Sequence, residues 1–183
     1  MAVGDQASGE AEEGFVDVVS DQADSHMVEP LLLETVSHDA AMSRIIEFFV
    51  APDETSAASV LAGGPEGTFE TVTLGNFLVE ISILKWEELT TGTSFDALWD
   101  AGEPRSVAED GDCQVFVVSE RLLRELAGVD DLRIAELAKG WKRMRSEDGE
   151  DLDDEPAREI LTEVSELARV ANDQGFGLYC WVA

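Results

Sequence analysis

Gly175-Phe176-Gly177-Leu178-Tyr179-Cys180-Trp181-Val182 is the stretch that decides the fold. Two glycines flank the exit from a helical pattern, and an unbroken apolar run follows them. Left free, so apolar a segment would invite edge-to-edge association, so it is expected to be a strand paired inside a sheet. Immediately upstream, Ile160, Val164, Leu167, Ala168 and Ala171 recur at three and four residues and give a helix one buried stripe. Pro156 suits the first turn of that helix, because the amide hydrogen it lacks would have no helical partner there. A helix delivered into a buried strand means helices packed on a sheet.

The same alternation extends backwards. Ile134, Leu137, Ala138, Trp141 and Met144 mark one face of a helix from about Asp131 to Arg145, with Lys139, Lys142, Arg143 and Arg145 crowding the end where the dipole favours cations. Cys113-Gln114-Val115-Phe116-Val117-Val118 reads as the central strand, and Ser119 as the N-cap of a helix through Leu122, Leu123 and Leu126 that ends at Gly128.

Nearer the front, Ile45, Ile46, Phe48, Phe49 and Val50 form a buried strand followed by a turn at Pro52-Asp53. A helix from Asp53 to Ala62 is expected to end at Gly63-Gly64. Thr68 to Leu74 reads as a strand. Leu78, Ile81, Leu84 and Leu89 fit the apolar face of a helix over Phe77–Thr90, with Asn76 as N-cap and Gly92 as stop. Ser94 caps a short helix through Phe95, Leu98 and Trp99, closed by Gly102. The predicted fold is α+β: residues 42–183 form one domain in which a small mixed or antiparallel sheet of about four strands packs against several helices.

Residues 1–41 are different. They hold ten acids and no Lys or Arg, with two short apolar islands at Phe15–Val19 and Leu31–Leu33. Such composition does not support independent folding, so a disordered acidic extension is expected, with Met42 a candidate natural start.

Across the chain 40 acidic residues face 12 basic ones, a formal charge of -28 over 183 residues. Nucleic acid and anionic membrane are poor partners for such a surface, because counterion release needs cations facing phosphates. A basic protein is the partner class that the charge suits. No stretch approaches the roughly 18 apolar residues of a membrane helix, and the N-terminus lacks a basic signal region. A reduced cytoplasm is the expected location, and Cys113 and Cys180 read as two buried strand thiols. The oligomeric state has no sequence signature.

Histidine sharpens the exclusions. His26 and His38 both lie in the N-terminal segment, so residues 42–183 have no histidine for a Ser-His or Cys-His pair, an H-E-x-x-H zinc site or an imidazole base. Neither cofactor nor resident metal is expected. The run Glu147, Asp148, Glu150, Asp151, Asp153, Asp154, Glu155 offers oxygen ligands for calcium, but no D-x-[DN]-x-[DN]-G loop fits it. Asp153, Asp154 and Glu155 instead suit the positive end of the last helix.

Carboxylates carry the remaining chemistry. Glu87-Glu88 and Asp100-Glu103 lie near Trp86 and Trp99, an arrangement compatible with a sugar cleft, weighed against a solvated helix edge with both tryptophans packed inward. Thr90, Thr91, Gly92, Thr93 and Ser94 form a polar loop that either cradles an anion or simply joins two helices. The candidate ligand-binding residues are therefore Trp86, Glu87, Glu88, Thr91, Thr93, Ser94 and Trp99, and none is assigned a catalytic role. The cations of Lys139–Arg145 are expected to pair with the acids that follow them.

Taken together, Lys85-Trp86-Glu87-Glu88-Leu89-Thr90-Thr91-Gly92-Thr93-Ser94, the strand entering the Ser119 helix, the Trp141 helix, the acidic break and the closing Gly-Phe-Gly-Leu-Tyr-Cys-Trp strand resemble the YfbM-like family of small bacterial proteins. The resemblance spans roughly residues 43–183 and implies an α+β cytoplasmic protein without an established activity, hence no functional residues to carry over. The Tyr-Pro usual after the penultimate helix is absent, and Met144–Ser146 and the acidic run stand there. Charge and the missing catalytic set lead to a non-enzymatic protein-binding module of inhibitor or immunity type. The alternative is a small-ligand binder or carboxylate enzyme with a Trp/Glu-lined cleft.

Overall fold

The closing segment is the middle of the sheet. In a computed structural model that describes residues 44–75, 77–147, 149 and 153–183, Gly177–Val182 forms strand β5, hydrogen-bonded on both sides. The other strands are β1 (Ile46–Ala51), β2 (Thr71–Leu74), β3 (Ser106–Asp110) and β4 (Cys113–Val117), in the spatial order β2-β1-β5-β4-β3, every neighbour antiparallel. Among the described residues six helices accompany them: α1 (Glu54–Ala58), α2 (Val79–Thr91), α3 (Phe95–Asp100), α4 (Glu120–Gly128), α5 (Asp131–Glu147) and α6 (Asp154–Gln174). The class is α+β, and the described residues all fall in the unit 41–183.

Strand alternation gives the sheet two apolar faces. Ile46, Phe48, Phe116, Leu178, Cys180 and Val182 point to one side, where α2, α4, α5 and α6 bury them. Phe48, Cys180 and Phe116 stand abreast across three strands. Phe49, Val115, Tyr179 and Trp181 point to the other side, under the short α1 and the following turn, where Phe49 stacks between Phe69 and Tyr179 with centroids 5.6 Å away in each case. Both faces covered explains why β5 reads as a continuous apolar run and β1 as one broken only at Glu47, rather than as alternating strands.

Several expectations need correction. The sheet has five strands, not about four, because Ser106–Asp110 carries too little apolar character to be read as a strand. It is a strand through its pairing with β4, closed by a two-residue turn at Gly111-Asp112 with Gly111 at φ 60°. It is also an edge, and Glu109 and Asp110 blunt it. Consequently β4 is not central; β5 is. Helix α1 stops at Ala58 rather than Ala62, and hydrogen-bonded turns carry the chain on to Gly64. Helix α2 starts at Val79 with Leu78 at the cap position, while the expected cap Asn76 lies outside the described residues, as do residues 1–43.

Local signals did set most boundaries. Asp53 Oδ1 accepts the Ser56 amide at 2.8 Å, Ser94 Oγ that of Ala97 at 3.4 Å, and Ser119 Oγ that of Leu122 at 3.1 Å, so each caps its helix. Gly92 (φ 74°) and Gly175 (φ 68°) end α2 and α6 in the left-handed conformation. Helix α5 runs on to Glu147, and Lys142 meets Asp154 at 3.1 Å, one of the expected pairings between its basic end and the following acids.

Candidate functional site

Helix α2 organises the region that the sequence singles out. Its core face holds Val79, Ile83 and Trp86, and Trp86 meets Trp141 of α5 edge-on at 5.0 Å and Phe48 at 5.9 Å. Trp86 is therefore a core side chain. Gly140 on α5 permits the close approach of the two helices: a Cβ there would lie 2.8 Å from Leu89 Cδ2.

Glu87 is turned about 100° from Trp86 around the helix and is 2% exposed. Its Oε1 accepts from Arg121 Nε at 3.0 Å and from Nη2 at 2.5 Å, while Oε2 accepts from Ser119 Oγ at 2.9 Å. Because Ser119 Oγ also caps α4, the carboxylate ties α2 to the start of the neighbouring helix. Both oxygens of Glu87 thus hold the fold together.

The remaining predicted residues spread along the exit of α2. Glu88 is half-buried. Thr91 Oγ1 donates to the Glu87 carbonyl at 2.7 Å and accepts the Thr93 amide at 3.2 Å, and Ser94 caps α3. These hydroxyls serve the helix-to-helix connection. Trp99, expected to pack inward, is 55% exposed and stacks on Phe95 at 6.1 Å. Trp86 and Trp99 consequently do not face each other across a cleft.

A concavity of about 430 Å³ opens beside this segment instead. One wall is a face of α2 made by Leu78, Ile81, Ser82 and Lys85, residues three and four apart. Phe95 of α3 and the last turn of α5, with Met144, Arg145 and Glu147, complete it. Lys85 is 6% exposed and its Nζ donates to the Met144 carbonyl at 3.4 Å; Arg145 is 9% exposed, its guanidinium 5.6 Å from the Trp141 ring centroid. Sequence reasoning assigned Leu78 and Ile81 to the core face and missed this groove. The one available signal was Lys85, a cation at the spacing that continues the Leu78–Ile81 row.

A second polar cluster lies at the opposite face of the sheet. Arg105 grips the Glu54 carboxylate with both terminal nitrogens, one at 3.0 Å, and this pairing holds Glu54 below the ordinary carboxylate value. Burial, with Glu54 and Asp53 nearby, raises the Tyr179 phenol. Burial also pushes the Cys180 thiol well up, and both cysteines are free thiols in or at the start of strands, Cys180 buried and Cys113 only partly so. Among the described residues no cluster of three His, Cys, Asp or Glu is placed to hold a metal, and no helix is long and apolar enough to cross a membrane.

The architecture is that of an α+β protein with one open antiparallel sheet, its helices mostly on one face. No family model and no curated protein matches the chain. Among solved structures it is similar to YfbM from Escherichia coli, a protein of unknown function, at 15% identity and a TM-score of 0.40, with 76% of this chain and 99% of that one covered.

Proposed function

We propose that this chain is a non-enzymatic binding module of the bacterial cytoplasm that recognises a basic protein, as an inhibitor or immunity-type protein does. One observation carries the reading: the fold spends its cations on itself. Among the described residues six of the Lys and Arg side chains lie within 4 Å of a described carboxylate, as in Arg44–Glu80 at 3.7 Å and Arg133–Glu136 at 3.0 Å, and Arg169 donates to the Val129 carbonyl at 2.6 Å. Acids such as Glu66, Glu70, Asp96, Asp100, Asp110 and Asp112 are exposed and form no ion pair among the described residues. A surface of this kind steers cationic partners and repels phosphate. The carboxylate-enzyme alternative draws no support from Glu87, whose oxygens are held by Arg121 and Ser119.

Capture experiments at low salt, with the chain immobilised at two densities, test the reading. A basic protein retained at both densities and released by salt supports it; recovery of no basic protein at either density sinks it.

A further inference from the structure

Trp99 lies on the outer side of α3, 55% exposed, while its neighbour Leu98 is buried and anchors the helix. Phe95, one turn earlier, stacks on the indole with centroids 6.1 Å apart and ring planes 14° from parallel. A single exposed apolar side chain needs no explanation. An exposed tryptophan backed by a second ring does, because tryptophan is among the residues that carry most of the binding energy at protein interfaces.

Carboxylates flank the ring pair. Asp96 stands three residues before Trp99 and four before Asp100, so on the helix surface it neighbours both. Asp96 and Asp100 are exposed, and among the described residues neither forms an ion pair. From Trp86 to Pro104 the sequence has no Lys or Arg. Asp96 suits the first turn of α3, but Asp100 lies in the last turn, where the helix dipole disfavours an anion. The helix itself gains nothing from that second acid.

We infer that the Trp99 side of α3 is a docking surface for a basic partner protein and that it takes an arginine side chain of that partner. The inference rests on the recognition of a basic protein proposed above and names the residues that carry it. A planar guanidinium stacks on an indole and donates to the carboxylates beside it with the same group, which a compact ammonium does less well. Two other occupants have the wrong charge: residues 1–41 of this chain hold ten acids and no Lys or Arg, and a second copy carries the same -28.

Magnetic resonance of the isotope-labelled full chain, titrated at low salt with a blocked hexa-arginine peptide, tests the assignment through the indole N–H signals, of which Trp99→Ala identifies its own. The Trp99 signal should shift saturably while those of the buried Trp86, Trp141 and Trp181 stay in place. A hexa-citrulline peptide, which keeps the shape and loses the charge, should move none of them. Trp99→Ala, at an exposed position, should weaken the arginine peptide about threefold or more by calorimetry. Asp96→Asn combined with Asp100→Asn should weaken it by about threefold or more, and Glu66→Gln combined with Glu70→Gln, an equal loss of exposed charge elsewhere, should weaken it less. An unmoved Trp99 signal, an equal response to the citrulline peptide, or equal weakening by the two double variants overturns the inference. So does a Trp99 signal that shifts on dilution of the protein alone, as a second copy on this face would produce. Failure here is distinct from failure of capture: a silent Trp99 with a basic protein still retained moves the interface to other acids, and retention of no basic protein sinks the reading on which the site rests.

Discussion

Glu87 and Arg121, 34 residues apart in the chain, form the ion pair that locks α2 to α4, and the two partners are unequally buried: Glu87 is 2% exposed and Arg121 49%. The inequality sets the cost of losing either one. Without Arg121 the carboxylate stays buried with Ser119 alone, whereas without a charge on Glu87 the guanidinium can turn to water.

Arg121→Ala should therefore destabilise the fold by about 3 kcal/mol or more, and Glu87→Gln by about 1.5 to 3 kcal/mol. Equilibrium denaturation of both variants checks this. Equal costs, or a larger one for Glu87→Gln, would contradict the assigned asymmetry.

Tyr179 is the only tyrosine in the chain, so tyrosinate absorbance reports one site. Its phenol should titrate above the ordinary value of 10.0, chiefly through burial and then through Glu54 and Asp53. Cys180 is raised above 9.0 in the same direction, again chiefly by burial. For both groups the native state favours the protonated form. Their contribution is complete below the unfolded values and is lost as pH rises through the folded ones, so stability should fall on the alkaline side of about pH 9. Replacing Cys180 by Val should flatten that fall; an unchanged slope would remove the thiol from the explanation.

Gly177 sits against the ring of its own strand neighbour: a Cβ there would lie 2.7 Å from Tyr179 Cε2. The ring is part of the Phe49 stack and has little freedom to retreat. Gly177→Ala should cost about 1 to 3 kcal/mol by overpacking. Gly140→Ala, which meets only the flexible end of Leu89, should cost less, and thermal melts of the pair decide the order.

Of the tryptophans, Trp86 is 1% and Trp141 0% exposed, and Trp99 is 55% exposed. Trp99→Ser should change stability by no more than about 0.5 kcal/mol while removing most of the fluorescence that a soluble quencher reaches. Trp86→Ala should cost about 3 to 5 kcal/mol. Quenching that survives Trp99→Ser would place another indole at the surface.

The elements whose residues carry their own signal were legible before the structure. Ser94 and Ser119 cap the helices they were expected to cap, Gly92 and Gly175 end theirs, the Ile160–Ala171 stripe is legible from spacing, and β1 and β5 are legible from their apolar runs and flanking Pro and Gly residues. Strand β3 was not, because Ser-Val-Ala-Glu-Asp has no strong preference until β4 lies beside it. For the candidate site, the polar connection after α2 was readable as a helix junction, but the outward turn of Trp99 was not, since a tryptophan's burial depends on what packs against it.

By itself the sequence determined the α+β class, the acidity and the absence of histidine from residues 42–183, because composition, caps and apolar spacing act within a few residues. Only the tertiary structure decided that β5 is the central strand, that Glu87 is held by Arg121, and that Lys85 and Arg145 share one groove with Leu78 and Ile81. Those relations join residues far apart in the chain, such as Lys85 Nζ and the Met144 carbonyl 59 positions away. They are fixed by how helices pack on the sheet, and no local preference along the chain encodes that.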